Sequence, residues 1–230
     1  FVGIIARLPV GLVNAVRSVG QGGISPLSLA SFLVLAVVVI AGVIMIQEGQ
    51  RKIPVQYAKR VVGRRMYGGQ STHIPMRVNQ AGVIPVIFAS SVLTFPLTLA
   101  HFVPALGGIN RLMGYGTVGY NFLYALLTVF FTYFYTAVTF NPRDVADNMK
   151  KYGGFIPGIR PGRPTSQYLD RVLTRITLAG ALFLALIAVL PYIMAGVTRM
   201  PTTLLYFGGT GLLIMVGVAL DTMKQIEAQL

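Results

Sequence analysis

Five long stretches of this 230-residue chain are almost entirely apolar, and polar segments separate them. The apolar positions continue all round a helix, whereas a helix on a soluble protein keeps a polar face toward water. About 20 consecutive apolar residues cover the hydrocarbon core of a membrane as a helix. The pattern therefore predicts five membrane-spanning helices rather than a soluble bundle. The predicted spans are 29–47, 79–102, 120–140, 176–195 and 204–230, the last including the C-terminal end.

The segments between these spans differ in charge. Most of the 19 Lys and Arg residues lie in loops 48–78 and 141–175, whereas 1–28, 103–119 and 196–203 carry few. An excess of Lys and Arg marks the cytoplasmic loops of membrane proteins. We therefore place the two basic loops in the cytoplasm and the other connections outside. The first segment reads as the end of a preceding helix followed by an external loop.

The second basic loop contains signals for a short helix. In FNPRDVADNMKKYGG, Asn141 is suited to the N-cap and Pro142 to the first helical position. Lys150 and Lys151 fall in the last turn, and Gly153 follows it. This loop is therefore predicted to be structured rather than a topology signal alone.

Two further patterns support structured loops. In SQYLDRVLTRIT, Leu169, Val172 and Leu173 share one helical face, which predicts an amphipathic entry into the fourth span. In the first basic loop, Gly68 and Gly69 lie in the middle of a segment typical of a hairpin that leaves the membrane.

The composition narrows the chemistry. Hydrophobic residues make up 54% of the chain, its mean hydropathy is +0.70, its formal net charge is +13, and cysteine is absent. No ionisable residue lies centrally in a predicted span, which disfavours ion-coupled transport. His73 and His101 lie in or beside loops without a metal-binding motif, and no nucleophile elbow is present. We expect no enzyme activity, no cofactor and no metal site.

The second span is unusually polar for a membrane helix. NQAGVIPVIFASSVLTFP contains Asn79, Gln80, Gly82, Pro85 and Pro96, so this helix is expected to bend and to suit lipid poorly. An ordinary kinked helix packed through its small residues would show the same spacing.

Several long runs carry a resemblance to a known family. They are QEGQRKIPVQYAKR, YGGQSTHIPMRVNQAGVIPVIFASS, FNPRDVADNMKKYGGFIPGIRPG, YLDRVLTRITLAGA and YFGGTGLLIMV. Together they resemble the C-terminal half of the bacterial SecY family of protein-conducting channels. The resemblance implies an all-α polytopic membrane protein whose five helices form one half of a ten-helix, pseudo-symmetric channel with two structured basic cytoplasmic loops.

The resemblance also implies roles for individual residues inside the membrane. Such a channel passes unfolded polypeptides across the membrane and releases transmembrane segments sideways into lipid. Ile87 and Ile214 match the apolar ring that seals the pore. The second span matches the mobile lateral-gate helix, with gate residues Asn79, Gln80, Ile84, Pro85 and Phe95.

The resemblance also implies binding partners for the two basic loops. The resemblance implies docking of the ribosome and the SecA motor on these loops, SecE- and SecG-type subunits, and a preprotein or nascent chain in the bacterial cytoplasmic membrane. The matching docking residues are Arg51, Lys52, Arg64, Arg65 and Arg160. Ribosomal RNA and anionic lipid heads are both sensible partners for such charges.

Two other functions remain open at this point. A secondary transporter for a small solute would use polar groups near the membrane midplane and broken helices, for which Asn79 and Gln80 give slight support. A structural or insertase-like scaffold would need neither basic loop for export.

Overall fold

A computed structural model describes residues 26–57, 60–62, 65–67, 71–102, 117–198 and 210–227, with the isolated positions 13, 17, 114 and 229. Helices dominate it. The elements are α1 (Pro26–Glu48), β1 (Gln50–Tyr57), β2 (Arg60–Val62), β3 (Arg65–Tyr67), β4 (Ser71–Arg77), α2 (Ile84–Phe102), α3 (Val118–Thr139), α4 (Pro142–Lys151), β5 (Gly154–Phe155), α5 (Arg163–Thr198) and α6 (Thr210–Glu227).

The five long helices form a bundle around a shared apolar core. Helix α3 packs against α5 and α2, and α1 packs against α6. The core takes residues from all five helices, including the fully buried Leu93, Tyr124, Leu184 and Leu213. Phe88 of α2 stacks on Phe131 of α3 with ring centroids 5.8 Å apart.

A polar stripe runs along the buried face of α3. Thr128, Thr132 and Thr136 follow Tyr120 and Tyr124 at four-residue spacing, and all five are buried. The hydroxyl of Thr128 donates to the carbonyl oxygen of Tyr124 at 2.8 Å, and that of Thr132 donates to the carbonyl oxygen of Thr128. These hydrogen bonds back to the preceding turn let Thr128 and Thr132 lie in an apolar bundle without a partner on another helix. The buried hydroxyl of Thr136 has no hydrogen-bond partner among the described residues.

The two basic loops form a second unit, which we call the basic body: β1 to β4, α4, β5 and the part of α5 up to Arg175. Strands β1 and β4 are antiparallel, from Gln50 opposite Arg77 to Gln56 opposite Ser71. Strand β5 pairs with the far end of β1, so the sheet order is β4-β1-β5. The two basic loops therefore meet in one sheet and lie on the same side of the bundle.

The basic body has its own apolar core. Alternate residues in the middle of β1 point inward, so that Ile53 and Val55 are buried while Lys52 and Pro54 are exposed. Arg51, nearer the start of the strand, is also exposed. The core is completed by Met76, Met149, Ile156, Leu169, Val172 and Leu173. The predicted amphipathic face of residues 169–173 is thus confirmed, although it faces this core rather than a membrane surface.

Glycines join the basic body to the bundle at close range. A Cβ atom at Gly180 of α5 would lie 2.7 Å from the carbonyl oxygen of Val78, just after β4. The amide of Val78 donates to the carbonyl oxygen of Gly49 at 2.8 Å, which closes the base of the β1–β4 pair. Only glycine allows the sheet base to approach α5 this closely.

The short helix α4 follows the sequence prediction. Asn141 is its N-cap, Pro142 begins it, and Lys150 and Lys151 occupy its last turn. The side chain of Asn141 accepts from the amide of Arg143 at 3.1 Å. Gly153 has a φ of +71°, a left-handed conformation that suits glycine after a helix end.

Several predicted boundaries need correction. The second long helix begins at Ile84 rather than Asn79, because Gly82 has a φ of +64°, which interrupts a right-handed helix. The helix predicted at 176–195 begins at Arg163 and continues to Thr198. The first and third long helices run over Pro26–Glu48 and Val118–Thr139, each within a few residues of the predicted bounds. Gly68 and Gly69 lie outside the described residues, as does most of 1–28, 103–119 and 196–203.

The mostly helical class is confirmed, but the basic loops add strands to the predicted all-α fold. Among the described residues, two stretches are long and apolar enough to cross a membrane, Val118–Lys151 and Arg163–Ile193. The helices Ala36–Glu48 and Ile84–Ala100 are apolar but shorter. The count of five spans stays a prediction.

Candidate functional site

The entry to α2 is a turn built by Asn79. Its amide nitrogen Nδ2 donates to the carbonyl oxygen of Gly82 at 3.0 Å. The side chain is only 6% exposed, and its oxygen Oδ1 has no hydrogen-bond partner among the described residues. Gln80 beside it is half-buried. A buried amide oxygen without a donor destabilises the arrangement that contains it, so this turn is a weak point in the packing.

Helix α2 keeps its own hydroxyl groups satisfied. Ser90 and Ser91 each donate to the carbonyl oxygen of Ile87 at 2.8 Å. Thr94 donates to the carbonyl oxygen of Ser90 at 2.7 Å, and Thr98 donates to that of Thr94 at 2.8 Å. Because these groups need no partner on another helix, α2 can present this face to lipid or to protein at similar cost.

One face of α2 is apolar and exposed. It comprises Phe88, Val92, Phe95, Leu99 and Phe102, which repeat at helical spacing, and Phe95 is 67% exposed. The opposite face holds the buried Val86, Ala89 and Leu93.

The two prolines of α2 occupy different environments. Pro85 is buried in the first turn, where a missing amide costs nothing, while Pro96 lies inside the helix and removes a backbone hydrogen bond. Of the two, only Pro96 interrupts the helix interior. Ile84, which begins the helix, is half-buried.

Ile87 and Ile214 lie at the same depth in the bundle. A Cβ atom at Gly217 of α6 would lie 3.5 Å from both methyl groups of Val83, so α6 and the start of α2 meet there. Ile87 follows Val83 by one turn on α2, and Ile214 precedes Gly217 by about one turn on α6. Helix α2 starts and α6 ends near the end of α1, because Val78 bonds to Gly49 and Lys224 pairs with Glu48. The two helices therefore run in opposite directions, and both isoleucines lie on the same side of the contact along the bundle axis. Ile214 is 4% exposed and Ile87 is half-buried.

The loop GGFIPGIRPGRP holds Arg160 outward. Ile156 is buried in the core of the basic body, and the amide of Ile159 donates to its carbonyl oxygen at 3.0 Å. Gly158 and Gly162 have φ angles of +81° and +103°, which suit glycine. The hydroxyl of Thr165 donates to the carbonyl oxygen of Arg160 at 2.8 Å.

The exposed arginine at the tip of this loop is therefore carried on a backbone fixed on both sides.

The structure describes the other predicted docking residues to different extents. Arg51 and Lys52 are exposed on β1, opposite Met76 and Pro75 of β4. The backbone of Arg65 begins β3, whose side chains are not described, and Arg64 lies outside the described residues. Strands β2 and β3 pair with each other, as expected for a projecting hairpin.

Sequence reasoning missed a cavity beside the Arg160 loop. Its volume is about 480 Å³, and it lies between α4 and the start of α5. Its lining residues are Arg143, Asp147, Gly162, Arg163, Ser166 and Gln167. No pattern in the sequence predicted that α4 and the start of α5 enclose a cavity. In the part of the chain that the structure describes, no group of three His, Cys, Asp or Glu residues could hold a metal ion.

Comparisons with known proteins point to one family. A family model described as SecY matches residues 1–223. The protein translocase subunit SecY of Mycobacterium leprae is 51% identical over all of this chain and 54% of its own length. That of Thermotoga maritima is 45% identical over all of this chain and 52% of its own length. The chain thus spans about half the length of the curated relatives that it matches.

The fold has solved counterparts. A solved protein-conducting channel superposes with a TM-score of 0.60 at 17% identity, covering 95% of this chain and 53% of the other. A SecY channel structure concerned with the plug domain gives a TM-score of 0.58 at 17% identity. At this identity the likeness shows the fold alone.

Proposed function

Because the chain belongs to the SecY family, we propose that it supplies the C-terminal half of a protein-conducting channel in the bacterial cytoplasmic membrane. The observation that carries the proposal is the match to a translocase subunit at 51% identity over the whole chain. The complete channel would pass unfolded polypeptides and would need no cofactor.

Both basic loops are proposed to face the cytoplasm, with five spans between them and the external connections. Their joint sheet supports one side for both loops, because β5 pairs with β1. The C-terminal end belongs on that side too, since Lys224 of α6 forms an ion pair of 2.7 Å with Glu48 at the end of α1. The excess of Lys and Arg favours the cytoplasm for that side.

Ile87 and Ile214 are proposed to contribute to the pore constriction. Their common depth on α2 and α6 supports this assignment. Branched apolar side chains contact any passing polypeptide without selecting its sequence, and an apolar constriction resists water and ions when nothing occupies it.

Helix α2 is proposed to be the moving wall of a lateral gate. Asn79 and Gln80 would lie at its hinge, Ile84 and Pro85 at its first turn, and Phe95 on its apolar face. Three features support movement: a buried amide oxygen at the hinge with no partner among the described residues, hydroxyl groups satisfied within the helix, and an exposed apolar face. A hydrophobic segment leaving the pore would partition into lipid past this face.

The basic body is proposed to dock cytoplasmic partners. Arg51, Lys52, Arg64 and Arg65 would meet ribosomal RNA, and Arg160 would contact the SecA motor. The rigid loop around Arg160 supports this role, because a preorganised side chain loses little entropy on binding. SecE- and SecG-type subunits would complete the assembly.

Charge reversal tests the docking proposal in the complete channel. Arg160→Glu should reduce motor-driven export by about tenfold, a loss typical of one charge-assisted contact. The matched control is Arg77→Glu, which reverses an exposed charge at the base of β4. If the Arg160→Glu channel exports as well as the Arg77→Glu control, Arg160 is not part of the docking site.

Ribosome cosedimentation tests the other docking residues. The pair Arg64→Glu and Arg65→Glu should weaken ribosome binding, and the loss should shrink at high salt, where wild-type binding also falls. Unchanged binding at both salt concentrations would leave the basic loops as topology signals.

A further inference from the structure

One face of α5 changes from charged to apolar where the charge-free stretch begins. Arg171 and Arg175 are exposed on this face, followed by the exposed Leu178, Leu182 and Leu186. At about 100° per residue these five positions point within about 80° of one another. They form a continuous stripe, which we call the α5 stripe.

Grooves accompany both ends of the α5 stripe. The upper groove has a volume of about 560 Å³ and is lined by Gln167, Asp170, Arg171, Thr174 and Arg175. The lower groove has a volume of about 490 Å³ and runs between α5 and α3. Its apolar lining includes Leu182, Leu186 and Ile193 from α5 and Phe122 from α3.

The charges of the upper groove are free to meet an anion. Among the described residues neither Arg171 nor Arg175 forms an ion pair or a hydrogen bond, and the single carboxylate of Asp170 leaves an excess of positive charge. The hydroxyl of Thr174 donates to the carbonyl oxygen of Asp170 at 2.9 Å. Gln167 is exposed beside it.

A tyrosine near the two arginines indicates where the membrane–water interface would cross α5. The phenol of Tyr133 on α3 donates to the carbonyl oxygen of Thr174 at 3.2 Å. Tyrosine is enriched at membrane–water interfaces, where its ring lies in an apolar layer and its hydroxyl in a polar one. With α5 spanning a membrane, Arg171 and Arg175 would lie at the depth of lipid headgroups, and Leu178 to Leu186 at the depth of acyl chains.

We propose that the α5 stripe binds one anionic phospholipid, with its phosphate between Arg171 and Arg175 and an acyl chain along Leu178 and Leu182 toward the groove with α3. Charge complementarity selects an anionic headgroup over a zwitterionic one. The proposal requires α5 to span the membrane but does not require the channel to conduct polypeptides.

Native mass spectrometry of the complete channel in detergent tests the site. The probes are phosphatidylglycerol, phosphatidylcholine with the same chains, and water-soluble glycerophosphoglycerol. Wild type should bind phosphatidylglycerol at least fivefold more tightly than phosphatidylcholine. Each arginine near the membrane surface contributes roughly fivefold, so Arg171→Gln with Arg175→Gln should weaken phosphatidylglycerol binding by about 25-fold.

Two matched variants sharpen the test. Arg143→Gln with Arg163→Gln removes the same charge from the cavity between α4 and α5 and should leave lipid binding unchanged. Arg163 lies about 12 Å from Arg171 and about 18 Å from Arg175 along α5. Arg171→Lys with Arg175→Lys keeps the charge and should retain most of the binding.

Three results would overturn the proposal. Equal binding of the two lipids would indicate an unselective apolar contact, and equal binding by the double Gln variant would remove the arginines from the site. Competition by glycerophosphoglycerol as effective as that by intact lipid would indicate a site for soluble phosphates. A channel inactive in export would not bear on any of these outcomes.

Discussion

The helix bundle and the basic body differ in the kinds of residue that they expose. In the basic body, burial alternates with exposure, as on β1, where Ile53 and Val55 are buried and Lys52, Pro54 and Gln56 are exposed. In the bundle, exposed positions are as apolar as buried ones. On α1, Val34, Val37 and Val38 are each more than 60% exposed.

The difference shows which forces hold each part together. Water drives the core of the basic body to form, because apolar side chains gain by leaving it. For a bundle embedded in lipid, as we propose, burial gives no such gain, so its helices would depend on close contacts and small residues. Gly42 of α1 against Phe183 of α5 is a contact of this kind.

The largest expected effect comes from emptying the core of the basic body. Leu169→Ala should destabilise this body by about 2–5 kcal/mol, since it removes a fully buried side chain from a water-driven core. Hydrogen exchange in the strands and α4 would report the loss. Leu213→Ala, at a fully buried position in the bundle, should cost less because its reference environment is lipid. A larger loss at Leu213 would break the comparison.

A smaller effect is expected where the two parts meet. Gly180→Ala should destabilise the junction by about 1–3 kcal/mol, because its Cβ atom would lie 2.7 Å from a backbone oxygen. Thermal unfolding of the complete channel measures the change. Gly119→Ala is the control, since Gly119 is exposed on α3 and alanine favours a helix there. Equal melting of both variants would show that the junction can relax.

Removing the cap of α4 should cost about 1 kcal/mol. Asn141→Ala loses the bond to the amide of Arg143, and the first turn of α4 should exchange its amides faster. Asn141→Ser should restore most of the protection. Unchanged exchange in Asn141→Ala would mean that packing against α5 alone holds α4.

The smallest effect is expected at the ion pair between Lys224 and Glu48. The two side chains are 30% and 49% exposed, so water screens their attraction, and Lys224→Gln should cost less than about 1 kcal/mol. A double-mutant cycle with Glu48→Gln measures the coupling. A coupling much above this value would indicate that the pair fixes the ends of α1 and α6.

Local signals predicted local structure well. The caps of α4 and the buried face of Leu169 to Leu173 follow from short patterns, and both are found. The pairing of β5 with β1 could not be read, because Gly154 and Phe155 are too short a strand to carry a pattern. The contact at Gly180 could not be predicted either, since the sequence does not show which backbone a glycine approaches.

The candidate site shows the same limit. The resemblance named Ile87 and Ile214, but their common depth depends on the contact between Val83 and Gly217, two residues that no motif singled out. Asn79 was expected to begin a helix, and Gly82 makes it part of a turn instead.

Crosslinking to a polypeptide stalled in the complete channel tests the central claim most directly. The chain has no cysteine, so single cysteines can be placed at Ile87 and Ile214, with Val34→Cys on the exposed face of α1 as the control. We expect crosslinks from Ile87→Cys and Ile214→Cys only while the polypeptide is in transit, and none from Val34→Cys. Crosslinks from Val34→Cys alone, or from none of the three during active export, would contradict a pore lined by α2 and α6.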